Sequence, residues 1–163
     1  MLKNLSIALL LLVCLGSCKS KSKSAFDYSQ GIVKKETSLL DDINTTETNI
    51  GHYITAEQYD SVAVAAEKME KLVDVKIKEI KDEPAPDAKE AENFKASSIK
   101  YFEYIKSMYT AYKAYGNAKT PEARTEEMTH MQEVIAGKTA AIDDMQTMQK
   151  KFADANGFKI EGK

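Results

Sequence analysis

Apolar residues recur at steps of three and four from Tyr59 through Val62, Ala66, Met69, Val73, Ile77 and Ile80. A second run goes from Ala91 through Phe94, Ser98, Tyr101, Ile105, Met108, Tyr112 and Tyr115. Residues spaced this way lie on one face of an α-helix, so each run is a long stripe that must be covered by another element. No segment shows the strict alternation of a half-buried strand. A chain that carries such stripes folds by packing helices against one another.

Breakers divide the remainder into similar lengths: Gly51, Pro84 and Pro86, the stretch from Gly116 to Pro121, and Gly157. A first helical segment is expected from about Tyr28 to Ile50, with Ile32, Val33, Leu39, Leu40, Ile43 and Ile50 as its stripe. Thr55 and Gln58 have the spacing of a capping box that would open the second segment, and Asp87 and Glu90 that of a cap for the third. Gly116 and Asn117 end the third. Thr120-Pro121 opens the fourth, because proline at the first helical position lacks only an N–H that has no partner there. The fourth runs to about Ala155 with Met128, Met131, Ile135, Ile142, Met145 and Phe152 in phase. Asn156-Gly157 is its left-handed stop, and Phe158 is placed to fold back onto the last turn. Helices of roughly 23 to 35 residues span about 35 to 52 Å, and each buries a single stripe. With short connections, the expected architecture is all-α, an up-down-up-down antiparallel four-helix bundle formed by residues 26–163.

The leucines are distributed differently. Seven of the ten lie before residue 16, and Leu5–Leu15 is an apolar run of 11 residues preceded by Lys3. A membrane span needs about 20 apolar residues, so this run fits the core of a secretory signal peptide instead. It ends in Leu15-Gly16-Ser17-Cys18, which resembles the bacterial lipobox, where small residues precede an obligatory cysteine. The resemblance to bacterial lipoproteins implies that residues 1–17 are a cleaved signal peptide, with Leu15, Gly16 and Ser17 read by the signal peptidase. It also implies that Cys18 carries the lipid and that the protein contacts a membrane through it. Lys19, in place of Asp, implies an outer-membrane lipoprotein. The lack of an acidic cluster after Cys18 favours a periplasm-facing position over the cell surface. Residues 18–25, with Lys19, Lys21 and Lys23 alternating with serine, are expected to be a flexible tether whose cations can meet anionic headgroups. Each buried methylene contributes about 0.8 kcal/mol, so two or three acyl chains hold durably where one does not.

Composition narrows the chemistry. A net charge of -2 and a pI near 5.8 offer no basic face for nucleic acid. Beyond the tether, residues 25–163 carry 19 basic and 25 acidic side chains, so the folded part is acidic. Two cysteines build neither a disulfide framework nor a four-cysteine zinc site, and lipoprotein processing would consume both. No phosphate loop, dinucleotide fingerprint or nucleophile elbow occurs, so no catalytic residue and no cofactor is assigned. Glu127-Met-Thr-His130 has the spacing of a di-iron ligand pair, but it has no second copy. Met128 and Met131 with His130 suggest an alternative role in copper binding, since thioethers select Cu(I). The tyrosines of the third segment are assigned mainly to the core, with Tyr104 expected to be exposed and Tyr109 to flank the stripe. Asp60-Ser61-Val62 resembles the short O-glycosylation motif of Bacteroidota secreted proteins.

The four-segment layout and the closing Phe152-Ala-Asp-Ala-Asn-Gly-Phe-Lys-Ile160 are similar to small helical surface-lipoprotein families of leptospires and Bacteroidota. Those families have no established activity and assign no functional residue. The expectation is therefore a non-enzymatic envelope protein, lipid-anchored, acting as a binding or structural module with an envelope protein partner. The lipobox makes one direct prediction. Cys18→Ala abolishes labelling by a fatty-acid probe and moves the exported protein from the membrane to the soluble fraction, read by metabolic labelling and fractionation.

Overall fold

The computed structural model describes residues 20–160, and these are all-helical with no strand. The helices are α1 (Ser20–Thr37), α2 (Leu40–Thr55), α3 (Tyr59–Asp82), α4 (Ala91–Asn117), α5 (Pro121–Ala136) and α6 (Lys138–Asn156). The first and fourth expected segments are thus each divided in two.

Both divisions coincide with local departures from regular helical hydrogen bonding. At the first, the Thr37 hydroxyl donates to the Val33 carbonyl and the Ser38 hydroxyl to the Lys35 carbonyl, at 2.8 and 2.7 Å. Such back-bonding loosens a helix. The Leu39 N–H turns to Glu36 O, and Leu39 itself is buried. At the second, the Gly137 N–H donates to Val134 O, which also accepts the Tyr104 hydroxyl at 3.2 Å.

α1 starts earlier than the apolar spacing placed it. Residues 20–25, expected in a flexible tether, are helical, because Ala25 continues the Tyr28–Ile32 stripe and is fully buried. Lys21 Nζ lies 2.6 Å from Asp87 Oδ2, joining this first turn to the α3–α4 connection. Two caps also differ from expectation. Thr55 closes α2, its hydroxyl donating to Gly51 O, and the residue preceding α3 is Gln58, with no side-chain cap. Glu90 precedes α4 in the left-handed region at φ 61°, again without a side-chain cap. The chain reverses at these points through backbone turns, so the polar residues there are not needed as caps. Thr120 does cap α5, accepting from the Ala123 N–H at 3.1 Å, and Gly157 takes a φ of 71° after α6.

α4 is the central element, packing against α3, α5 and α6, while α2 lies on α3 and α1 on α6. The ion pairs Lys81–Glu103, Asp74–Lys106 and Glu70–Lys113 step down α3 as they climb α4, so these two helices run in opposite directions. The first two pairs are half-exposed and contribute at most about 1 kcal/mol each, whereas Glu70 is buried and also accepts from the Thr110 hydroxyl. Both stripes are buried apart from Tyr59, which is half-buried.

At one end of the pair, Gly116 lets the helices touch. A Cβ there would fall 2.5 Å from Ala63 N and 2.6 Å from Tyr59 O. At the other end Phe152 of α6 stacks on Phe94 of α4, with centroids 4.9 Å apart, and meets Tyr28 of α1 and Phe158 edge-on. The Phe158 N–H reaches Ala153 O, so the tail folds back as its position suggested. Neither end has slack. Gly116→Ala should cost about 1–3 kcal/mol by forcing backbone apart, and Phe152→Ala about 3–5 kcal/mol by opening a cavity. Urea unfolding of the two variants reads both values.

Candidate binding groove and its buried carboxyl

Small residues leave a gap between two large helices. On α4, Asn93, Ala96, Ser97 and Lys100 repeat at helical spacing, and on α6 Ala141, Asp144, Met148 and Lys151 do the same. Ala96, Ser97 and Ala141 are too short to fill the space, which is an open groove of about 680 Å³. Lys100, Lys151 and Asp144 bring charge to it, Met148 brings a flexible apolar surface, and Tyr101 lines it from the core.

Tyr101 connects the groove to a buried acid. Its hydroxyl donates to Glu36 Oε1 of α1 at 2.7 Å, and Glu36 is 2% exposed. Burial pushes the Glu36 carboxyl up to about 7, against the opposing effect of the Tyr101 hydrogen bond. The Tyr101 phenol is raised in turn, first by burial and then by the Glu36 charge. One further polar contact, Gln149 Nε2 to Ser29 Oγ at 3.4 Å, crosses between α6 and α1, both side chains fully buried. Among the described residues, Gln149 Oε1 and the Tyr28 hydroxyl are buried without a hydrogen-bond partner.

Two other regions are built differently. Glu47 of α2 is held up by burial, with Lys138 opposing, and its charge adds to the burial that raises the Tyr109 and Tyr112 phenols. At the end of the fold marked by Gly116, the Arg124 guanidinium sits 3.5 Å from the Tyr59 ring centroid. Arg124 Nη2 also donates to Ala118 O at 2.7 Å, and Tyr59 meets Tyr115 edge-on. This arrangement ties α5 to the start of α3 and uses the cation structurally.

The sequence-derived site residues are scattered. Leu15, Gly16, Ser17 and Cys18 lie outside the described residues. Met131 is buried, Met128 is half-buried against the core, and His130 is exposed, with Nδ1 3.8 Å from Glu127 Oε2. Among the described residues, no group of three or more His, Cys, Asp and Glu is placed to hold a metal ion. Asp60 and Ser61 open α3, but Val62 of the same motif is fully buried. Two tyrosines are more enclosed than their phase suggested. Tyr109 is fully buried, and Tyr104 is half-buried through its bond to Val134 O, because α4 is covered on several sides at once.

Glu36 escaped sequence reasoning although its signal was present. It stands in phase with Ile32, Leu39 and Ile43, as Gln149 does with Met145 and Phe152. A polar residue inside an apolar stripe is the mark of a buried polar contact.

Comparison with known proteins gives no significant match to any family model, curated protein or solved structure. Among the described residues no helix is long and apolar enough to cross a membrane.

The buried acid makes stability depend on pH. In the unfolded chain Glu36 titrates near 4.5, in the folded protein near 7. Below the first value both states hold the proton and nothing is lost. As pH rises through the window the unfolded state releases its proton first, and stability falls until pH passes about 7. The difference is on the order of 3 kcal/mol. Glu36→Gln should abolish most of that fall and leave the protein more stable than the wild type at about pH 8, read by urea unfolding across the window.

Proposed function

We propose that this chain is a lipid-anchored, non-enzymatic envelope protein, held through Cys18 and acting as a binding or structural module through the α4–α6 groove. The observation that carries the reading is the order of its parts. An apolar run and Leu15-Gly16-Ser17-Cys18 stand immediately ahead of a helical fold whose first helix begins two residues later. Within this reading the fold is an up-down-up-down antiparallel four-helix bundle, with α1 and α2 as one bent rod and α5 and α6 as another. The opposed α3–α4 register and the closing contacts of α1 on α6 support that topology. Lys19 favours the outer membrane, and the lack of an acidic cluster after Cys18 favours a periplasm-facing position.

The groove is the surface best suited to a partner. It joins a polar, charged rim to a flexible thioether, a mixture that suits a protein segment better than an apolar metabolite. A photo-activatable residue at Thr147, in the groove, should give discrete adducts with an envelope component in intact cells. The same residue at Val64, on the exposed outer face of α3, should not. Lys100→Glu with Lys151→Glu should remove the Thr147 adducts without altering thermal unfolding. A groove that gives no adducts beyond those at Val64 would leave only the structural role.

A further inference from the structure

Cys18, the residue proposed to bear the lipid, is followed closely in sequence by a rigid body, and that short spacing sets an orientation. Only Lys19 separates Cys18 from α1 (Ser20–Thr37). Two residue steps reach at most about 7 Å. The headgroup layer of one leaflet is itself about 5–7 Å deep. Lipid on Cys18 therefore leaves no free chain with which the folded part can stand away from the surface.

The start of α1 is also not loose. Ala25 is fully buried, and Lys21 pairs with Asp87 in the α3–α4 connection. Asn156 Nδ2 donates to Lys89 O of the same connection at 2.9 Å. Phe26 of α1 meets Phe158 of the tail edge-on, with centroids 5.9 Å apart. Three separate parts of the chain thus form one end of the fold around the α1 N-terminus. The opposite end, where Arg124 covers Tyr59, lies about 40 Å away by the length of the 27-residue α4.

We infer that the end formed by the first turn of α1, the α3–α4 connection and residues 157–160 is the membrane-seating face, resting on phospholipid headgroups. The long helices then rise from the bilayer, and the Tyr59–Arg124 end points away from it. The inference rests on the proposed lipid anchor at Cys18. The seat comes from the anchor and its short reach rather than from a basic patch, because Lys23, Lys89 and Lys159 are balanced there by Asp27, Glu90 and Glu92. The same placement puts the α4–α6 groove, with Asn93 and Lys151 near this end, within the lower part of the molecule and open sideways.

The test uses the full lipidated protein reconstituted in phosphatidylcholine vesicles that carry a fraction of headgroup-nitroxide lipid. Lys89→Cys at the seating end and Lys119→Cys at the far end each receive a fluorophore; both positions are exposed. Nitroxide quenching should be several-fold stronger at position 89 than at position 119. A flexible Gly/Ser insert of about 20 residues between Lys19 and Ser20, reaching roughly 25 Å, should relieve the quenching at position 89 while membrane retention persists. Equal quenching at both positions, or stronger quenching at 119, overturns the seating face, as does quenching at 89 that the insert leaves unchanged. Intact mass separates the two readings. A purified protein without acyl chains refutes the lipid anchor itself, whereas acylated protein with the wrong quenching pattern refutes only the orientation.

Discussion

The close packing of α3 on α4 is the contact on which the rest of the fold depends. Each helix presents an apolar stripe, and full burial of a Val, Ile, Phe or Met side chain contributes about 1.5–3 kcal/mol. The two stripes hold Val62, Ala66, Met69, Val73, Ile77 and Ile80 against Phe94, Ile105, Met108 and their neighbours, all buried. Gly116 brings the backbones into contact at one end, which fixes the axial position of the pair. With that position fixed, α4 offers its remaining sides to α5 and α6, and α3 offers one to α2.

The interior is not uniformly apolar, and two of its polar contacts tie α1 in place. Glu36–Tyr101 and Ser29–Gln149 both join α1 to the helices that line the groove. A buried carboxyl that titrates near 7 is destabilising when ionised, so its hydrogen bond to Tyr101 restricts how α1 can sit. The break between α1 and α2 follows directly after Glu36, where Thr37 and Ser38 bond back to carbonyls. Register of α1 against α4 is thereby set by a specific polar contact, in a region where aliphatic packing alone would tolerate sliding.

Much of this was legible in advance, and the misses have physical causes. The stripes of α3 and α4, the Thr120-Pro121 opening and the Asn156-Gly157 stop depend on local geometry, and each appears where the spacing placed it. The capping boxes at Thr55 and Asp87 failed because turn geometry between packed helices overrode a local preference of about 1 kcal/mol. The breaks at Ser38 and Gly137 passed unseen because the apolar phase continues across them. Tyr104 and Tyr109 were misjudged because a single stripe describes a helix covered on one side, and α4 is covered on several. The groove was not legible at all, since it is a gap between small residues on helices some 45 positions apart in sequence.

By itself the sequence determined that the described residues are helical, where α3, α4 and α6 end and α5 begins, and which stripes α3 and α4 bury. It also holds the apolar run and Leu15-Gly16-Ser17-Cys18, whose resemblance to a lipobox underlies the proposed anchor at Cys18. These are matters of spacing and of short contiguous motifs, which need no partner to be recognised. Only the tertiary structure decided that Glu36 is enclosed with Tyr101, that α4 is central, and that the first turn of α1 lies beside Asp87. Burial and proximity belong to pairs of distant residues, and no periodicity within one helix specifies what will lie across from it.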